Sequence, residues 1–237
     1  ANCFKLGMRL PTDGTAFDQA TIKNLLCSGV SFAGRRAIAT RSAGGTPTAV
    51  ADNIIFSGCD FYFRDDESAV ASTISLTGTP MNRVAFMGCA FDFGDSGSYA
   101  MNFKSCNDVL LMGCEIRSGG ATIETINADS CKRFTIKGSR YYTQTTNSIC
   151  RFNSVEELII EQSDFNLNKS FAVANISGTG ESSVIRFSGN YVSNASNVVN
   201  VSGSKDIAEF VFAYNVLKGA TTPYTPSINA AWSFIRE

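Results

Sequence analysis

The sequence predicts an all-β solenoid, and three observations predict it. A short segment recurs eight times along the 237 residues, about 25 residues apart. Each copy alternates apolar and polar residues with period two, the pattern of a strand with one buried face. No segment has a convincing helical period. Repeats of strand, bend and strand cannot bury their faces alone, whereas stacking them coil on coil does.

The copies run in order as LLCSGVSF (Leu25 to Phe32), IIFSGCDF (Ile54 to Phe61), VAFMGCAF (Val84 to Phe91) and VLLMGCEI (Val109 to Ile116). They continue as FTIKGSRY (Phe134 to Tyr141), LIIEQSDF (Leu158 to Phe165), IRFSGNYV (Ile185 to Val192) and FVFAYNVL (Phe210 to Leu217). The central position is Gly29, Gly58, Gly88, Gly113, Gly138, Gln162, Gly189 and Tyr214. The alternation changes phase there, so the glycine marks a bend or bulge. A second strand is expected after most copies, at 73–76, 100–103, 122–126, 149–152, 173–176, 198–201 and 232–235. These elements assemble into a single-stranded parallel β-helix of about eight coils over residues 21–237. An N-terminal attachment or capping segment is expected over residues 1–20. With coils ~4.8 Å apart, the rod is roughly 40 Å long.

The period and the G-C/N-x-F rhythm resemble the right-handed parallel β-helix of the pectate-lyase-like superfamily, which includes many phage tailspikes. The resemblance covers roughly residues 20–237. It implies the fold, its handedness and a parallel homotrimer. No catalytic motif of that superfamily can be matched here residue by residue, so none is carried over.

Composition narrows the chemistry. Lys plus Arg is 20, Asp plus Glu is 21, and the net charge is -1. That balance gives no bulk attraction to nucleic acid or to anionic lipid. The chain has no histidine, which removes histidine triads, histidine bases and histidine-ligated metals. No apolar run approaches the ~18 residues that span a bilayer. The start, AlaAsnCysPheLysLeuGly, lacks the form of a signal peptide, and the resemblance to phage tailspikes then implies a virion, assembled in the bacterial cytoplasm, as the expected location.

The eight cysteines contain no C-x-x-C pair. Cys59, Cys89 and Cys114 fall in one column, continued by Ser139, Ser163, Asn190 and Asn215. Cys106 and Cys131 share another with Val155. Stacked cysteines have parallel Cβ vectors, poor geometry for a bridge, so free buried thiols are expected. The column of Phe32, Phe61, Phe91, Tyr141 and Phe165 reads as core. Outward columns read as cross-strand charge pairs: Arg140 between Glu115 and Asp164, Lys137 beside Glu161, and Asp92 beside Arg117.

Two successive turns carry acids that this pairing leaves over: Asp65, Asp66 and Glu67, then Asp92 and Asp95. Carboxylates ~5–9 Å apart are what glycoside hydrolysis needs, which makes these five the candidate catalytic set. The same oxygens could hold Ca²⁺; otherwise no cofactor or metal is expected. Tyr62, Arg64 and Tyr142 are the candidate glycan-binding residues. A further column, led by Ile55 and containing Leu110, Ile159 and Val211, lies between two inward columns and should face out. Met87 and Met112 extend it. An outer apolar stripe marks an interaction surface, and a trimer built on that flank is expected. The last strand runs almost to Glu237, and an open solenoid end needs a cover: the loop Pro223 to Pro226, a partner chain or further sequence.

The expected function is a non-enzymatic virion surface protein of a bacteriophage, a short tailspike or a capsid decoration protein. Its partners would be other tail or capsid proteins and cell-surface polysaccharide, with no nucleic acid and no membrane span. A polysaccharide depolymerase, glycosidase or lyase, is the alternative if the acidic turns converge beside a groove. A secreted bacterial β-helix adhesin is the third reading.

Overall fold

A computed structural model describes residues 2–6, 22–33, 36–40, 51–62, 74–77, 81–94, 100–119, 124–144, 147–177, 183–202, 207–219 and 222–226. The described chain is all strand and corner, a parallel β-solenoid. Its first face is an eight-stranded parallel sheet of Ile22–Ser28, Ala51–Ser57, Met81–Met87, Cys106–Met112, Arg133–Lys137, Glu157–Glu161, Ser183–Ser188 and Ile207–Ala213. These are the eight repeats read from the sequence. The six inner strands are paired on both edges, which gives about six complete turns of ~25 residues, fewer than the eight coils expected because the first and last strands are paired on one edge alone.

The second face carries the short strands that follow the central corner: Ser31–Ala33, Asp60–Tyr62, Ala90–Asp92, Glu115–Ser118, Arg140–Thr143 and Val216–Lys218. The third face carries Asn2–Leu6, Arg36–Thr40, Ile74–Leu76, Met101–Lys104, Ile126–Asp129 and Cys150–Asn153. Asp164–Ser177 and Tyr191–Val201 run through both faces without a break, with a register shift between Asn166 and Ser170. These two long strands join the second and third faces into one fifteen-stranded sheet.

The central column is a left-handed corner at all eight positions, with φ from 52° to 63°, Gln162 and Tyr214 included. A Cβ on Gly58 or Gly88 would meet nothing within 4 Å. Backbone conformation, not space, therefore favours glycine there. Val30, after the first corner, is exposed; from Cys59 to Asn190 the residue after the corner is buried, and most of these side chains hold the preceding coil. Cys89 and Cys114 donate S–H to the carbonyls of Phe56 and Phe86 at 3.4 and 3.3 Å. Asn190 and Asn215 donate Nδ2–H to the carbonyls of Ile160 and Phe187, both at 2.9 Å. Asn215 Oδ1 also accepts the Asn190 N–H at 2.9 Å. From Cys59 on the column thus takes a small donor, cysteine in three coils, then serine in two and asparagine in two. The seven described cysteines are all free, and burial pushes the Cys150 thiol well up.

The aromatic column is core. Phe32 stacks on Phe61 and Phe61 on Phe91 at centroid distances of 4.9 and 4.8 Å, and Tyr141 stacks on Phe165 at 4.7 Å. From the first face, Phe86 meets Phe91 edge-on at 5.6 Å. Such offset and edge-on pairs add to the area they bury.

Several boundaries differ from the sequence reading. Asn2–Leu6, inside the expected attachment segment, is already a strand of the third face, parallel to Arg36–Thr40. The strand expected at 122–126 lies at Ile126–Asp129, because Thr125 is still in the corner with its hydroxyl against Ser118 Oγ at 3.0 Å. Pro223 to Pro226 is not a loop: Thr222–Pro226 is a strand in parallel register with Tyr191–Val201. The strand expected at 232–235 lies outside the described residues.

Candidate functional site

Along the second face, one outward row steps by a coil at each residue. It runs Tyr62, Asp92, Arg117, Tyr142, Asn166 in parallel register. All five are exposed. The alternation sends Phe61, Phe91, Ile116, Tyr141 and Phe165 inward, so the core column fixes where this row points.

From Asp92 onward the row forms one wall of a groove of about 600 Å³, which extends to Gln144, Asn168 and the backbone of Gly94 and Gly119. Its lining spans four successive coils. Its base is held by three buried hydroxyls: Ser118 Oγ donates to Thr143 Oγ1 at 2.8 Å and lies 3.0 Å from Thr125 Oγ1. These contacts tie two successive coils at the floor through short side chains.

The electrostatics centre on Arg117. Its Nε and Nη2 both donate to Glu115 Oε1, at 2.9 and 2.6 Å. Its guanidinium lies 5.7 Å from the centre of the Tyr142 ring, within cation–π range. Glu115, and more distantly Asp92, push the Arg117 pKa further up. Asp92 Oδ1 accepts the Gly94 N–H at 3.3 Å, which steadies the turn at the groove's end. The result is a polar trough with a flat aromatic ring, a fixed cation, a carboxylate and three amide side chains.

Of the residues picked from the sequence, Asp92 and Tyr142 come together in this groove. Tyr62 stands in the same row one coil beyond Asp92. Asp65, Asp66, Glu67, Asp95 and Arg64 lie outside the described residues. Among the described lining residues Asp92 is the single carboxylate. No group of three or more metal-ligating side chains occurs among the described residues. Arg117, Gln144, Asn166 and Asn168 were not picked as site residues. Extending the Tyr62–Tyr142 column by one coil finds Asn166.

The charge pairs are partly as read. Lys137 Nζ lies 3.6 Å from Glu161 Oε2. Glu115, however, is taken by Arg117 two residues along its own strand rather than by Arg140 on the next coil. The guanidinium reaches along the strand because it also settles over Tyr142. The apolar column stands on the outer side of the first face. Ile55, Leu110, Ile159 and Val211 are half-buried, Met87 is half-buried and Met112 is exposed.

Comparison with protein-family models, with curated proteins and with solved structures gives no match for this chain.

Proposed function

We propose that this protein is a non-enzymatic recognition rod of a bacteriophage surface, a tailspike-like or capsid-decorating β-solenoid that holds an extended polysaccharide along its second face. The observation that carries the reading is the groove: Asp92, Arg117, Tyr142 and Asn166, spaced one coil apart along one wall. An extended sugar chain offers ring faces and hydroxyls at regular intervals. The Tyr142 ring supplies a flat surface for a sugar ring. Arg117, Asn166, Asn168 and Gln144 supply donors and acceptors for hydroxyls. Coil stacking supports the role, because a continuous backbone ladder gives a stiff stalk with little loop to attack. The virion setting rests on the resemblance of the repeats to phage β-helices.

The described part of the groove offers one carboxylate, whereas glycoside hydrolysis uses two. The test is a panel of bacterial surface polysaccharides, followed by both binding and chain length. One polysaccharide should bind and keep its length. Tyr142→Ala and Arg117→Ala should each weaken it about tenfold, ~1.4 kcal/mol, with the thermal midpoint nearly unchanged. Shortened chains would move the depolymerase reading to first place. Binding untouched by either substitution would remove the groove from consideration.

A further inference from the structure

The outer side of the first face is built from three rows in parallel register. The middle row is the apolar stripe, Leu26, Ile55, Ala85, Leu110, Thr135, Ile159, then Arg186 and Val211. On one side runs a row with alternating charge: Arg83, Asp108, Arg133, Glu157. On the other side run Met87, Met112, Lys137 and Glu161. Two ion pairs already lie within these rows, Arg133 Nε to Glu157 Oε2 at 2.6 Å and Lys137 to Glu161 at 3.6 Å. Their side chains are a third to a half exposed, so their charges reach whatever covers the stripe.

We infer that this face pairs with the same face of a second copy of the chain, with the two rods antiparallel. The argument is charge complementarity under symmetry. A symmetry axis along the rod, as in any parallel dimer or trimer, keeps each coil level with itself and lays the first flanking row on the other. Arg133 then meets Lys137 and Glu157 meets Glu161, two like-charge contacts on one patch. A two-fold axis along the strands reverses the coil order and lays each row on its own copy. Centred between the coils of Asp108 and Arg133, it puts Asp108 against Arg133 and Arg83 against Glu157. Leu110 then meets Thr135, Ile159 lies over the buried Ala85, Ile55 meets Arg186, Met112 meets Lys137 and Met87 meets Glu161. No like charges face each other in any of the three rows. An alternating row of even length is complementary to itself only when reversed, and like-charge juxtaposition excludes the other arrangement.

Sedimentation of the full chain should show a monomer–dimer equilibrium, the dimer at twice 25.4 kDa. Glu157→Arg should weaken the dimer about tenfold or more, because it sets two arginines against each other at both symmetric contacts. Adding Arg83→Glu should restore it. Arg83 and Glu157 are three coils apart in one chain, ~14 Å, so that rescue can only act between copies. Met112→Glu, at an exposed position that leaves the core alone, should tighten the antiparallel dimer through Lys137; in a parallel assembly it would face Asp108 and loosen. A monomer at every concentration, a trimer mass, tighter association with Glu157→Arg, failure of the rescue, or looser association with Met112→Glu would each overturn the proposal. None of these outcomes depends on whether the groove binds a polysaccharide.

Discussion

The first and second faces grow from the same repeat and end with opposite surfaces. Both send a ladder of aromatic and aliphatic side chains inward, and both expose alternate residues at one-coil intervals. On the first face the outward middle row is largely aliphatic, mostly half-buried and flanked by balanced charges. On the second it is Tyr62, Asp92, Arg117, Tyr142 and Asn166 beside a groove. The difference teaches that the inward columns set the fold and leave the outward columns free. A solenoid can therefore carry two unrelated surfaces on one core.

The largest expected effect breaks the shared part. Phe91 is buried, stacked on Phe61 at 4.8 Å and edge-on to Phe86 at 5.6 Å. Phe91→Ala opens a cavity between both faces and should cost about 3–5 kcal/mol. Met112→Ala, in the outer row of the first face, should stay within about 0.5 kcal/mol. Denaturant unfolding of the two variants measures the contrast directly. If they cost the same, the division into inward framework and free outward rows is wrong.

That division also explains what was legible in the sequence. Columns that repeat chemistry were readable: the aromatic ladder, the Cys–Ser–Asn ladder, and the corner that glycine marks. Gln162 and Tyr214 were assigned to that corner by position alone, and both adopt its positive φ. A second set of left-handed corners, at Ser105, Ser130 and Ser154 with φ of 53–55°, was not read. Serine is common in turns of any kind, so its column carries no signal comparable to glycine's. The uninterrupted strands Asp164–Ser177 and Tyr191–Val201 were hidden for a related reason. Only the loss of a connection between second and third faces distinguishes them, and a missing connection leaves no motif. The candidate site was half legible. Tyr62, Asp92 and Tyr142 were found as residues, but the groove depends on how the chain leaves the second face after Gly94 and Gly119, which period and alternation do not encode.

A smaller effect sharpens the comparison at the border between the second and third faces. Glu124 sits just before the strand Ile126–Asp129, and its Oε2 is buried with no hydrogen-bond partner among the described residues. Burial pushes its pKa above the ordinary 4.5, and Arg151 opposes the shift. The folded state then holds the proton to a higher pH than the unfolded chain does. Stability is greatest below the unfolded value and falls as pH rises through the folded one. Glu124→Gln should flatten that part of the stability–pH curve and leave the variant more stable than the parent at neutral pH. Thermal midpoints measured from pH 4 to pH 8 decide the matter, and parallel curves for the two proteins would show that Glu124 is solvated in the folded state.

The smallest effect tests whether the corner is a backbone requirement common to every coil. Gly113 and Gln162 occupy equivalent corners, at φ of 62° and 52°. A Cβ on Gly113 would come no closer than 3.9 Å to the Gly88 nitrogen, an ordinary contact. Gly113→Ala should therefore lose only the ~1–2 kcal/mol that an L-residue loses in the left-handed region, less the gain of ~0.5–1 kcal/mol from a stiffer unfolded chain. Gln162→Gly runs the same exchange in reverse and should stabilise by a few tenths to about 1 kcal/mol. Opposite signs of similar size would mean that the corners are interchangeable and that Gln162 sits in the sixth as tolerated strain. If Gln162→Gly destabilises instead, the glutamine side chain holds the corner. Its Cγ, 3.7 Å from where a Cβ on Gly189 would stand, points to the coil it would be holding.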